Sequence, residues 1–148
     1  MRAEDTRAIL LTVEQALKIL FDVHQSAIFL YEPADNCLVG RSGAEAPLQQ
    51  GLHQQVLPLA NGKGLLIRAL TRNLMLDSFG YLGSAQPSIA DEQVMRALGT
   101  EGMLCLPLAV GQQPVGVMAL GLSEAHFRRL TGRIKLLGMF ARQAAACL

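Results

Sequence analysis

Cys105 stands inside an unbroken apolar run, Leu104-Cys105-Leu106, and Cys37 and Cys147 are the only other thiols. A nucleophilic or redox cysteine needs a lowered pKa and access to solvent, whereas an apolar strand raises a thiol's pKa and blunts it. Packing is therefore the expected role of Cys105, since free cysteine is among the most buried residue types. Three cysteines far apart suit free thiols in a reducing compartment better than a disulfide framework. His24, His53 and His126 have no Cys, His or carboxylate at zinc spacing, so no metal site and no cofactor is expected. His126 reads as a solvated histidine near a helix start. Asp91 and Glu92 are adjacent carboxylates at another helix start, where they offset the positive end of the dipole rather than work as an acid and base pair.

Other catalytic patterns fail on spacing. Asn61-Gly62-Lys63-Gly64 lacks the G-x-x-x-x-G-K-[ST] spacing that wraps phosphates and reads as a turn. No Gly-x-Ser-x-Gly elbow occurs, and Ser42-Gly43 and Ser78-Phe79-Gly80 are isolated. No residue is assigned a catalytic role, and the chain is not expected to be an enzyme.

The elements that position these residues follow from hydrophobic period. Ile9, Leu10, Val13, Ala16, Leu17, Leu20 and Phe21 recur at three- and four-residue spacing, which predicts a helix over 4–23. Ser26–Glu32 and Cys37–Ser42 flank Pro-Ala-Asp-Asn as a hairpin. Val56–Ala60 is a weaker strand, and Pro58, which has no ladder donor, places it at an edge. Leu65–Leu70 reads as a short helix and Leu74–Asp77 as a strand. Ser88, three residues before Asp91, predicts a capping box opening the helix Ile89–Leu98, with Gly99 ending it. Residues 102–110 and 114–122 flank Gly111-Gln112-Gln113 as a long hairpin, apolar at nearly every position and so covered on both faces. Ser123 caps a closing helix, Glu124–Cys147, with a seam of Phe127, Leu130, Ile134, Leu137, Ala141, Ala144 and Leu148.

At 148 residues the chain is expected to be one domain, 1–148, and no internal repeat is visible. Apolar residues make up 51% and charged residues 17%, a globular rather than disordered balance. The net charge of +1 makes no case for nucleic acid as a partner. Apolar runs fall short of the roughly 20 residues a bilayer requires, and Glu4 and Asp5 stand where a signal peptide would be basic. The expectation is a cytoplasmic protein without a membrane partner. The closing helix carries Arg128, Arg129, Arg133, Lys135 and Arg142 against the single carboxylate Glu124, read as a solvated face with an acidic partner as the alternative.

The element order, with Leu106-Pro107-Leu108, the turn at Gly111, Val115-Gly116-Val117-Met118 and the closing helix, resembles the GAF domain family over nearly the whole chain. That resemblance implies an α+β fold related to PAS domains. A central antiparallel sheet would carry the first and last helices on one face, and short helices and loops would cover a ligand pocket on the other. It further implies a non-catalytic sensor of a bacterial signal transduction protein, with residues 1–23 and 124–148 as connectors to an adjacent output domain. The residue signatures of specialised branches do not match. The dispersed Asn-Lys-Phe-Asp-Glu pattern of cyclic-nucleotide binders is not found, and no cysteine precedes a histidine as in bilin-binding members. The free methionine sulfoxide reductases place cysteines just before the proline-containing strand, where this chain has none. The alternatives kept open are a ligand-free dimerising scaffold and, behind it, a thiol redox enzyme of that reductase type.

For an unknown small-molecule ligand, the expected pocket residues are Asp77, Phe79, Tyr81, Met95, Arg96, Met103, Cys105 and Met118, with Asp77 and Arg96 as polar anchors. Leu136, Phe140 and Cys147 widen the apolar face of the closing helix beyond what one sheet face needs. A homodimer through Leu17, Ile134, Leu137 and Phe140 is therefore expected, with charges at Leu137 and Phe140 giving a folded monomer.

Overall fold

The computed structural model describes residues 3–41 and 55–148; the sequence features at Ser42-Gly43 and His53 lie outside the described residues. In chain order the elements are α1 (Ala3–Phe21), β1 (Gln25–Glu32), β2 (Cys37–Arg41), β3 (Val56–Pro58) and a 3-10 turn at Leu59–Asn61. They continue with α2 (Leu65–Arg72), β4 (Leu76–Asp77), α3 (Ile89–Leu98), β5 (Gly102–Val110), β6 (Gln113–Leu122), α4 (Glu124–Thr131) and α5 (Ile134–Cys147). The strands form one antiparallel sheet in the order β3-β2-β1-β6-β5-β4. Pro58 is on the edge strand, as a residue without a ladder donor must be.

Alternation along the central strands sends side chains to two cores. Ile28, Met118 and Leu106 form one cross-strand row, and with Leu104, Leu108, Leu120 and Leu122 they face Leu10, Val13 and Leu17 of α1 and Leu137, Ala141 and Ala144 of α5. The opposite row, Ala27, Ala119, Cys105 and Leu76, lies under Leu66, Ala69 and Leu70 of α2 and Val94 and Leu98 of α3. Both faces of the β5–β6 hairpin are covered, which explains why its sequence is apolar at odd and even positions alike.

Strands β1 and β6 meet at Gly116, which pairs with Leu30 on one side and Leu108 on the other, beside a register irregularity at Leu108/Ala109. A Cβ there would run into the Phe29 carbonyl oxygen, so only glycine lets the strands close. Gly116→Ala is expected to cost about 1–3 kcal/mol, read as a lower urea midpoint at unchanged slope.

The closing helix differs from its sequence pattern. It is two helices, broken at Gly132 and Arg133. Arg133 turns back to donate to the Leu20 carbonyl at 2.6 Å and lies 4.7 Å over the Phe21 ring, while His126 Nε2 meets the Phe21 carbonyl at 3.1 Å. The carbonyls at the end of α1 thus receive partners from the first turn of α4 and from the break, the latter a cation where the helix dipole is negative.

Leu17 and Leu137 are fully buried in the protomer's own core, and Ile134 and Phe140 are partly buried against it. The expected dimer seam is therefore spent on the sheet at Leu17 and Leu137, and a charge at Leu137 would attack the fold rather than an interface. The apolar surface left over lies elsewhere on these helices: Leu11, Ile19 and Leu20 on α1, and Leu136 and Met139 on α5, are exposed.

Candidate functional site

The first turns of α2 and α3 share one buried carboxylate. Gly64 is the N-cap of α2, with no side chain to accept from the first amides. Asp91 accepts instead from Leu65 N at 2.6 Å and Leu66 N at 3.3 Å. It also closes the capping box of its own helix, accepting from Ser88 N at 2.8 Å while Ser88 Oγ accepts from Asp91 N at 3.1 Å. A negative charge lies at two positive helix ends, and amides that would otherwise be orphaned are satisfied together. Gly64 has φ +96°, and a Cβ on it would come within 2.5 Å of Asp91 Oδ2 and 2.7 Å of Ser88 Oγ. The junction closes only because residue 64 is glycine.

Beside this junction opens a cleft of about 540 Å³, inside the size range of small-molecule sites. Leu57 and Pro58 of β3 form one wall, Lys63, Ile67 and Arg68 a second, and Ser84–Ala90, apart from Ala85, the third. The capping box sets the first turn of α3, and through Asp91 it sets the first turn of α2, so both helical walls hang on one side chain.

None of the eight residues expected to line a pocket lines this cleft. Met103 and Cys105 are fully buried with Val94 and Leu98, so the space between the sheet and α3 is packed. Met118 is buried on the opposite face of the sheet. Met95 is half-buried against the α3 side, and Arg96 is exposed in the last turn of α3, where a cation suits the dipole. Asp77 is buried, and its carboxylate accepts from Phe79 N at 2.9 Å, Tyr81 N at 3.2 Å and Leu82 N at 2.6 Å. It organises the loop after β4 rather than facing an opening. That loop presents Phe79 and Tyr81 to Phe127 of α4, each with ring centroids 5.6 Å from it. The Tyr81 hydroxyl donates to Glu124 at 2.7 Å and accepts from Arg128 at 2.9 Å. Part of the basic character of the closing segment is thereby engaged within the protomer: Arg128 on Tyr81 and Glu124, Arg133 on α1.

Cys105 is fully buried in a row otherwise made of Ala27, Ala119 and Leu76. Burial pushes its thiol up, with the Asp91 and Asp77 charges adding to the effect, so the thiolate is disfavoured. Cys37 is also buried and Cys147 is exposed. Cys105→Ser is expected to cost roughly 1–3 kcal/mol by placing a hydroxyl in this row. In the folded protein a thiol reagent should modify Cys147 quickly and Cys105 only on unfolding. Among the described residues no three of His, Cys, Asp and Glu gather as a metal-ion site.

The cleft was hidden in the sequence because its walls come from three separated segments. One signal did point to it. Gly64 immediately precedes a helical run and cannot cap it, so an acceptor had to come from another segment, and Asp91 was the acid already placed at a neighbouring helix start.

With a six-stranded antiparallel sheet, helices on both faces and this element order, the chain belongs to the GAF domain family, whose model matches residues 5–148. Among solved structures it is similar to the GAF domain/HD domain protein from Geobacter sulfurreducens, at 16% identity and TM-score 0.65, over 97% of this chain and 91% of that one. It is similar to residues 122 to 287 of a methyl-accepting chemotaxis protein, at 18% identity and TM-score 0.64, over 95% of this chain and 87% of that one. It is also similar to the type II free methionine-R-sulfoxide reductase from Thermoplasma acidophilum, at 16% identity and TM-score 0.51, over 95% and 94% of the two chains. At these identities the likeness is one of fold. No curated protein matches the chain. No described helix is long and apolar enough to cross a membrane.

Proposed function

We propose that this GAF domain is a non-catalytic regulatory module of a cytoplasmic signalling protein. It binds a small molecule in the cleft between β3, α2 and the start of α3 and relays occupancy through α1 and α5 to a neighbouring output domain. The observation that carries this reading is the cleft itself, an open space of small-molecule size beside a sheet that carries a buried apolar core on each face. A route to the terminal helices exists in the fold. α2 lies on β5 and β6, and the other face of the same two strands carries α1 and α5. A ligand biases the terminal helices only by the difference in its affinity for two arrangements of them. The sulfoxide reductase reading is disfavoured by Cys105, which is shut inside the sheet core with its thiol held protonated.

Native mass spectrometry of the protein purified from its own host tests this reading, with Ala90→Trp, which fills the cleft, as control. The expected result is a retained molecule of a few hundred daltons on the unaltered protein and none on the folded variant. An unaltered protein that carries nothing, or a variant that carries the same molecule, counts against it.

One observation favours a second reading, the dimerising scaffold. An apolar groove of about 400 Å³ runs between α1 and α5, lined by Ile9, Val13, Ala16, Phe140, Ala144 and Cys147 among others. The exposed Ile19, Leu20, Leu136 and Met139 lie on the same two helices. A homodimer through this face is compatible with either reading. Sedimentation equilibrium at tens of micromolar, with and without a bound ligand, separates a constitutive scaffold from a ligand-dependent pair.

A further inference from the structure

We infer that the cleft takes a small organic carboxylate, its charged end on Arg68 and its apolar body on Leu57, Ile67 and Ala90. This rests on the reading of the cleft as a ligand site and adds the chemical class of the ligand.

Arg68 carries the argument. It lies in the first half of α2, on the helix wall of the cleft, and its backbone N–H is spent on the Gly64 carbonyl at 3.2 Å. Its side-chain Nε is buried and has no hydrogen-bond partner. A guanidinium N–H removed from water without an acceptor is a costly arrangement, and Arg68 is the one described residue with such an atom. Nε is closed to solvent as the side chain stands, so an acceptor oxygen in the cleft would satisfy it through a rotation of the Arg68 side chain towards the cleft that it lines.

The charge around it agrees. Lys63 and Arg68 both line the cleft, and among the described residues no carboxylate does. Asp91 stands behind Gly64 and Ser88, with its oxygens already taken by the amides of Leu65, Leu66 and Ser88. It is held at the helix ends rather than ion-paired to Lys63 or Arg68, and its single charge leaves the two cations in excess. Excess positive charge in a concave site attracts anions. The rest of the lining sets what else the anion carries. Leu57, Ile67 and Ala90 offer an apolar floor, and Ser84 and Gln86 supply polar groups on the loop side. A planar carboxylate suits the guanidinium, which can present Nε–H and one terminal N–H as a parallel pair. A bare inorganic anion would leave the apolar floor unused.

Calorimetric titration of the folded domain with benzoate, its neutral counterpart benzamide, and inorganic phosphate tests the assignment. Benzoate is expected to bind with a dissociation constant at or below about 1 mM, and benzamide and phosphate at least about tenfold more weakly. Arg68→Gln should weaken benzoate by about tenfold or more, and Arg68→Lys, which restores the charge without the fork, should recover only part of it. Each variant is checked for native far-UV dichroism and a cooperative melt. Benzamide binding as well as benzoate, or benzoate indifferent to Arg68→Gln, would overturn the carboxylate assignment. If Ala90→Trp still abolishes that binding, the cleft stands as a ligand site of a different class. Tighter binding of phosphate than of benzoate overturns the assignment in favour of a phosphoryl ligand. No binding of any probe up to about 10 mM overturns it as well, and the mass-spectrometric result on the host-purified protein then decides separately whether the cleft is used at all.

Discussion

Asp91→Ala is expected to destabilise the domain by about 3–5 kcal/mol. The carboxylate is buried and accepts from three backbone amides on two helices. Removing it strands those donors, each at roughly 1–3 kcal/mol before relaxation and entry of water, and deletes a cap of its own. Domains of this kind have only about 5–15 kcal/mol of stability in hand, so the loss should be plain in urea unfolding. Ser88→Ala removes the Oγ that accepts from Asp91 N and leaves the carboxylate in place, so it should cost only about 1 kcal/mol. The two variants costing the same would show that Asp91 does no more than close its own capping box. Because α2 and α3 supply two of the three walls of the cleft, Asp91→Ala should also loosen the cleft where the chain still folds.

Leu137→Glu and Leu136→Glu, adjacent residues on α5, should behave in opposite ways. Leu137 is fully buried between α5 and the sheet, among Leu10, Leu106 and Ala141 in the same core, whereas Leu136 is 51% exposed. Truncating such a leucine costs roughly 2–5 kcal/mol, and an unpaired carboxylate adds its desolvation, so Leu137→Glu is expected to abolish cooperative unfolding or lower the melting temperature steeply. Leu136→Glu should stay within about 0.5 kcal/mol of the unaltered protein as a monomer. If it instead changes the sedimentation behaviour, the face carrying Leu136 and Met139 is the homodimer surface. Retention of full stability by Leu137→Glu would contradict the placement of α5.

What the sequence made legible was local. The capping box at Ser88 and Asp91, the left-handed Gly99, the edge position of Pro58 and the two-sided burial of the long hairpin each follow from residues a few positions apart. The break in the closing helix is not legible because the apolar spacing runs on in phase through Gly132 and Arg133, and the partner that Arg133 meets at the break, the Leu20 carbonyl, lies more than a hundred residues away. Asp77 reads as a ligand anchor in the sequence because an apolar pocket needs a few polar groups to fix orientation; its partners in the structure are the amides just after it. Methionine and aromatic residues marked the core on both sides of the sheet rather than one pocket, since packing and ligand contact select the same side chains. The cleft rests instead on a glycine without a side chain and an acid 27 positions further on, a pairing visible only once α2 and α3 are placed.

The central claim is that small molecules enter this domain between α2 and the start of α3. Amide nuclear magnetic resonance of the labelled domain, screened against a library of fragments of a few hundred daltons, tests it most directly. The expected outcome is that binding fragments shift the amides of Lys63, Gly64, Ile67 and Arg68 together with those of Ser84, Gln86, Ser88 and Ala90. Fragments that shift Ile9, Thr12, Phe140 and Gln143 in the α1–α5 groove while leaving those amides still, or a library in which nothing binds, would contradict it.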